Sequence, residues 1–280
     1  MHWRAAVKIA YDGRNFMGSQ RQPDLPTVES EVISALTRIG AISSTEESRF
    51  GFASRTDKGV SALGNVVAFD TEFRKECLLQ ALNASSDNIY YHALAEVPET
   101  FYARYAKKRW YRYVLPERNK DEELLKACAA LFEGTHDFTR FSRPDGKSAV
   151  KHIEKIEIEH RNGAYIIDIH SREFLRNMIR RMIAAMEDVS LGHTDIEDVR
   201  KALDGEDKTF GLAPPEPLTL MDVVYDFEFQ KEDPEALVKK LNSCQDDVLC
   251  RREFLDSLMN REKLCSVTQK PSECSKKLQN

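Results

Sequence analysis

Residues 54–64 read SRTDKGVSALG, and Arg55, Asp57 and Lys58 crowd into the four positions that precede Gly59. Asp-Lys-Gly is common turn chemistry, because aspartate bonds its own backbone and glycine accepts a positive φ. The same residues suit a reactive carboxylate: Asp57, carried on a glycine loop that a substrate can approach and held ionised by Arg55. A carboxylate attacks only when ionised, so it needs a cation nearby rather than a bare apolar pocket. Other stretches could complete such a site. In RWYRYVL, residues 109–115, strand alternation sets Arg109, Tyr111 and Tyr113 on one face and Trp110, Arg112 and Val114 on the other. Either face is core, or aromatic rings interleaved with guanidinium groups stack a nucleic-acid base and hold its phosphates. Arg172, Arg176 and Arg180 fall at i, i+4 and i+8, opposite an apolar side of Phe174, Leu175, Met178, Ile179, Met182, Ile183 and Met186. That row is a solvated helix face or, if the helix lines a cleft, the source of an arginine for the carboxylate. Gln20, Arg21 and Gln22 in GSQRQP are loop donors for bases or phosphates. Asp12 in YDG closes a strand with a turn, and is also the second carboxylate that a metal-dependent nuclease built on Asp57 would use.

These residues must be held by regular elements. Alternation of Val7, Ile9 and Tyr11 predicts a strand over 3–11, and Val28, Val32, Leu36 and Ile39 predict a helix over 27–39 that follows Pro26. Strands at about 49–54 and 64–70, a helix over 74–84 and a strand over 89–97 complete the order β-α-β-β-α-β, the ferredoxin-like split motif. The order recurs without an alignable repeat. A strand at about 108–115 is followed by a helix at 121–133, and then by a hairpin at 150–160 and 163–170 that turns on Asn162-Gly163. Helices at 172–188 and 195–203 and a strand at 221–229 follow. The expected fold is therefore α+β, with two ferredoxin-like halves, 1–104 and 105–230, whose antiparallel sheets join edge to edge and leave an active-site cleft between them. Residues 231–280 read as a polar extension with helices at about 234–243 and 246–259 and a disordered end.

Composition narrows the classes. With 280 residues, 41% hydrophobic and 31% charged, the chain has the balance of a globular protein. No apolar run approaches the roughly 18 residues of a membrane span, and the N-terminus lacks the apolar core of a signal peptide, so a cytoplasmic protein is expected. The six cysteines, four of them in the tail, form no CxxC pair and fit no zinc template, so reduced thiols and no metal are expected. The net charge of −5 does not argue against nucleic acid, because residues 103–118 hold six basic side chains against one acidic and residues 171–181 hold four against one. No P-loop, GxGxxG before a helix, HExxH or GxSxG is present, so nucleotide hydrolysis, zinc proteolysis and serine hydrolysis have no motif.

Taken in order, YDG, QRQP, RTDKGVSA from Arg55, ALN from Ala81, RWYRY, GTHDFTRF from Gly134, FLRNMIRRM from Phe174 and LTLMDVVY from Leu218 resemble the TruA family of tRNA pseudouridine synthases. The likeness runs from about Arg4 to Phe229. It departs at Ser19, Ser54, Lys58 and Ser61, where the family often has an aromatic, Gly, Ala and His. The resemblance implies an isomerase that breaks the N1 to C1′ bond of uridine, turns the base and rejoins it through C5, with no cofactor. It implies Asp57 as nucleophile and Arg180 as the partner that keeps it ionised, since an opposite charge at close range favours the charged form. Tyr111 would stack on the base and take the C5 proton, while Arg55 would hold the displaced nucleotide's place or its phosphates. Family members are homodimers that grip one tRNA and modify positions 38, 39 or 40 of its anticodon arm. The reading from another class is a non-catalytic tRNA-binding protein of the same fold, which would tolerate loss of Asp57.

Overall fold

The computed structural model describes residues 2–143, 145–146, 148–231 and 248–256. It divides into one compact unit over Met1–Glu232 and a second over Asp233–Asn280. In the second unit residues 248–256 are helical, inside the expected 246–259, and the expected helix at 234–243 lies outside the described residues. In the first unit the order is β1 (Trp3–Tyr11), α1 (Val28–Arg38), β2 (Gly51–Phe52), β3 (Ser61–Thr71), α2 (Lys75–Ala84), β4 (Ile89–Val97), β5 (Lys108–Pro116) and α3 (Glu122–Leu131). It continues with β6 (Gly134–Asp137), β7 (Val150–Arg161), β8 (Ala164–Ser171), α4 (Met178–Ser190), α5 (Ile196–Leu203), β9 (Leu218–Val224) and β10 (Gln230–Lys231). No helix among the described residues is long and apolar enough to cross a membrane.

Local chemistry explains most boundaries. Helix α1 starts where Thr27 and Ser30 form a reciprocal capping box, and it buries Val28, Val32, Ala35 and Leu36 at helical spacing. Asp121 and Asp195 cap α3 and α5 more simply, their carboxylates accepting from the Leu124 and Glu197 N–H groups. Strands β7 and β8 turn on Asn162 and Gly163, with φ of 54° and 73°, as a type I′ hairpin requires.

The strands form one mixed sheet in the order β10-β4-β1-β3-β9-β5-β8-β7-β6, with β2 beside β3. The pairings are antiparallel except that of β3 with β9, a short parallel seam of Ser61 opposite Thr219 and Ala62 opposite Leu220. Gly64 is needed just past it, because a Cβ there would lie 2.6 Å from Asp222 Oδ1 and 2.8 Å from the Met221 carbonyl oxygen. In the second half, Tyr111 and Tyr113 lie opposite Ile169 and Ile167 and are buried with them, which settles the two faces of RWYRYVL. Trp110 and Arg112 take the other face, with Val114 40% exposed. Phe132, Phe138 and Phe141 are fully buried, and Phe141 stacks on Phe210 at 4.9 Å, which anchors the loop before β9. Burial of each such ring is worth about 1.5–3 kcal/mol.

Some expectations are corrected. Helix α4 starts at Met178 rather than Arg172, because Asn177 takes a left-handed φ of 63° and Arg176 is extended, its carbonyl accepting from the Arg143 N–H at 2.9 Å. Arg172 and Arg176 therefore share no helical row with Arg180. Strand β2 is only Gly51–Phe52, and β9 begins at Leu218 instead of Met221. Strand β6 falls on the polar GTHD, which shows too little apolar alternation to announce a strand.

Candidate active site

The aspartate loop is fastened at both ends by buried polar groups. The Ser54 N–H donates to Asn65 Oδ1 at 3.2 Å, and Asn65 Nδ2 donates to the Ser54 carbonyl at 2.9 Å. The Thr56 N–H donates to Ser19 Oγ at 2.7 Å and the Ser19 N–H to the Thr56 carbonyl at 3.0 Å. Tyr11 Oη lies 2.9 Å from Thr56 Oγ1 and accepts from Asn65 Nδ2 at 3.3 Å. The Val60 N–H then closes a turn on the Asp57 carbonyl at 3.1 Å, with Gly59 at φ 85°, as the third residue of a type II turn requires. Behind the turn, a Cβ on Gly13 would lie 2.2 Å from the Val60 carbonyl oxygen. The backbone of YDG is thus pressed directly against the aspartate loop.

The carboxylate's cation comes from the other half of the sheet. Arg180 Nη1 donates to Asp57 Oδ2 at 3.2 Å, with side chains 13% and 33% exposed. Arg180 sits in the first turn of α4, where the helix dipole disfavours a cation, and its Nε donates to the Ala213 carbonyl at 2.7 Å. Pro215, two residues past Ala213, would meet a Cβ on Gly59 at 3.0 Å, so the loop before β9 braces both partners. Tyr111 is 7% exposed and packs edge to face with Phe174 at 5.3 Å. Burial pushes its phenol well above the usual tyrosine range; Arg109 and a hydrogen bond with Ser54 oppose that shift, and the charges of Tyr11 and Asp57 add to it. The ring is a neutral phenol at physiological pH, with its hydroxyl among Ser54, Arg109 and Asp57.

The remaining sequence candidates are placed differently. Arg55 is exposed, and the cation paired with Asp57 is Arg180, not Arg55. Gln20 is exposed immediately after the Ser19 clip and so lies at the mouth of the loop. Arg21 is exposed, its N–H donates to Glu29 Oε2 at 2.8 Å, and its charge bears on Glu46. Asp12 is bound by Arg14 through hydrogen bonds of 2.5–3.0 Å that hold its carboxyl below the usual range, so it is engaged away from Asp57. Among the described residues, no group of three or more His, Cys, Asp or Glu is arranged to hold a metal.

The family model for tRNA pseudouridine synthase matches residues 128–226. Over 241 residues the chain is 44% identical to tRNA pseudouridine synthase A of Pyrococcus abyssi, an alignment that covers 84% of this chain and 90% of that one. It is 36% identical over 289 residues to tRNA pseudouridine synthase A of Methanobrevibacter smithii, covering 93% and 99%. The chain belongs to the tRNA pseudouridine synthase A family. A chain in the crystal structure of a Cbf5-Nop10-Gar1 complex aligns over 77% of this chain and 48% of its own, at 13% identity and a TM-score of 0.35. That likeness is too slight to carry an argument.

The pseudouridine synthase fold places in the site several residues that sequence pattern did not single out. Ser19 and Asn65 clip the aspartate loop, and Gly13 lets it sit close. Arg109, 8% exposed, spreads its guanidinium over Ser54 Oγ at 2.8 Å, the Ala53 carbonyl at 2.8 Å, the Arg104 carbonyl at 2.9 Å and the Arg172 carbonyl. The one available signal for it was an arginine on the same strand face as Tyr111 and Tyr113.

Proposed function

We propose that the chain isomerises uridine to pseudouridine in the anticodon arm of tRNA, at position 38, 39 or 40, with Asp57 as nucleophile. The observation that carries this reading is the pairing of Asp57 with Arg180 at 3.2 Å across 123 residues of sequence, beside the buried Tyr111. Asp57 attacks as the carboxylate, at C1′ of the ribose or at the uracil ring, the N1 to C1′ bond breaks, the base turns, and a C5 to C1′ bond forms as the bond to Asp57 breaks, C5 loses its proton and N1 gains one. Arg180 orients the carboxylate through Nη1 while its Nε donates to the Ala213 carbonyl. Tyr111 is the floor on which the turning base rests, and such a face offsets part of the stacking lost when a base leaves its stem. Its neutral phenol receives the C5 proton only if it first passes on its own, so stacking is its principal role. Arg55, exposed at the rim, takes the place or the phosphates of the displaced nucleotide, and Gln20 and Arg21 meet the RNA farther out.

On this reading the chain acts in the cytoplasm as a homodimer and uses no cofactor. Each half, 1–104 and 105–230, is a ferredoxin-like unit, a reading supported by the strand orders β4-β1-β3-β2 and β9-β5-β8-β7. The deciding experiment compares wild type with Asp57→Ala on transcribed tRNA. Pseudouridine formation is expected to disappear while tRNA affinity changes by less than about threefold. Full activity in the variant would refute Asp57 as the nucleophile, and a wild type that binds tRNA without making pseudouridine would favour the non-catalytic binding protein.

A further inference from the structure

Residues 101–108, FYARYAKK, lead into β5 with their apolar side fastened and their polar side open. Ala103 and Ala106 are buried, Phe101 packs on Tyr225 and Phe227 at 5.1 and 5.3 Å, and Tyr225 Oη donates to the Ala103 carbonyl. That anchoring turns Tyr102 and Tyr105 outward, 52% and 66% exposed, edge to face at 6.1 Å. The Arg104 guanidinium lies 5.2 Å from the Tyr105 centroid and has no ion pair among the described residues. Arg4 lies 6.0 Å from the Tyr102 ring and donates through Nη2 to the Arg49 carbonyl at 3.3 Å. The acidic groups nearby are Asp70, which is engaged by Arg4 and Arg49, Glu99, whose charge bears on Arg49, and Asp226 and Glu154, which pair with Lys107 and Lys108.

The position of this surface relative to Asp57 is fixed by Arg109. One guanidinium binds the Ala53 carbonyl and Ser54 Oγ of the aspartate loop together with the Arg104 and Arg172 carbonyls. The backbone between the two tyrosines is therefore one side chain away from the loop, with the exposed Arg172 at the same hub. Trp110 and Arg112 offer a second aromatic and cationic pair on the open sheet face, but both are engaged by Asp168, at 2.7 Å and 2.8 Å, which occupies the indole donor and pairs the guanidinium charge.

We propose that Tyr102, Arg104 and Tyr105 form a stacking platform for an unpaired nucleotide of the RNA substrate next to the uridine being isomerised. The proposal rests on the tRNA-modifying function above. Exposed rings flanking an arginine without an ion pair among the described residues suit a ligand that presents planar bases along an anionic backbone. An enzyme that extrudes one nucleotide must also hold its displaced neighbours.

The test uses the full chain and transcribed tRNA, with pseudouridine formation, tRNA affinity, sedimentation and thermal unfolding measured for each variant. Tyr102→Ala and Tyr105→Ala are each expected to raise KM and Kd about tenfold, with kcat within about twofold, because one stacking face is lost. Tyr105→Phe keeps the face and is expected to behave as wild type. Arg104→Gln is expected to weaken binding and to lower the slope of log affinity against log salt by about one. Unchanged KM and Kd in both alanine variants would overturn the proposal, as would a lost dimer with unchanged Kd, which would make the surface a protein contact. If an alanine variant unfolds, Tyr105→Phe and Arg104→Gln decide: a folded phenylalanine variant that loses about tenfold in affinity, or a glutamine variant with an unaltered salt slope, sinks the idea. Should wild type bind tRNA without making pseudouridine while the variants lose affinity, the platform stands and the catalytic reading fails.

Discussion

Gly13→Ala should separate the position of the aspartate loop from its chemistry. The added Cβ would lie 2.2 Å from the Val60 carbonyl oxygen, 2.3 Å from its carbon and 2.6 Å from the Gly59 carbonyl carbon. These are backbone atoms, so no side chain can swing aside, and ordinary contact begins only at 3.4 Å. Either the loop or the end of β1 must retreat by roughly 1 Å, a displacement that typically costs about 100-fold in rate when it falls on a reacting group. Overpacking of this kind costs about 1–3 kcal/mol, or roughly 2–12 °C in Tm for a unit of this size, so the variant should remain folded at 25 °C. Single-turnover pseudouridine formation at saturating enzyme gives the rate, and equilibrium binding gives the affinity for tRNA. The expected outcome is a loss of about two orders of magnitude in rate with near-normal affinity. A folded variant that turns over within about threefold of wild type would refute the view that close backbone packing sets the place of Asp57.

Three other outcomes follow from the same geometry. Arg180→Lys retains charge but cannot serve the Asp57 carboxylate and the Ala213 carbonyl together, so kcat should fall about 10- to 100-fold, and Arg180→Gln about 1000-fold, in the same assay. Burial works to raise the Asp70 carboxyl, but hydrogen bonds from Arg49 and Arg4 outweigh it and hold it below the usual range. The depressed value means that its contribution to stability is present above about pH 4 and is lost as pH falls further. Asp70→Asn should cost about 3–5 kcal/mol at pH 7 by urea unfolding and flatten that acid limb. Burial pushes the Cys128 thiol up to about 12, so native protein at pH 8 should be alkylated at the exposed Cys250 and not at Cys128, as read by peptide mass spectrometry. Equal labelling of the two would show that α3 opens in the native state.

Features whose causes are local were legible before any coordinates. Thr27 after Pro26, Asn162-Gly163 and the apolar spacing of α1 act within a few residues, and the elements appear where those signals put them. Spacing offered Arg180 only as one of three arginines, although the family resemblance singled it out, because what sets it apart in the structure is the break at Asn177. That break depends on a pairing between Arg143 and Arg176, 33 residues apart, and no periodicity encodes it. The apolar pattern around it still reads as helical because Phe174 and Leu175 are also packed inward, Phe174 against Tyr111. Ser19, Asn65 and Gly13 were invisible for a related reason: small polar residues in loops carry no pattern, and their work is with backbone atoms distant in sequence.

The short parallel seam of β3 with β9 has a consequence for synthesis. Asp57 emerges early, whereas Arg180, the loop that braces it, and the strand that closes the seam emerge late, up to Val224. Domains generally fold as they leave the ribosome, N-terminal part first. A chain that stops short of β9 carries the aspartate loop without the brace and the strand that complete its site. On the proposed mechanism, catalytic competence therefore requires that translation has passed β9, and prematurely terminated products are expected to be silent toward the substrate.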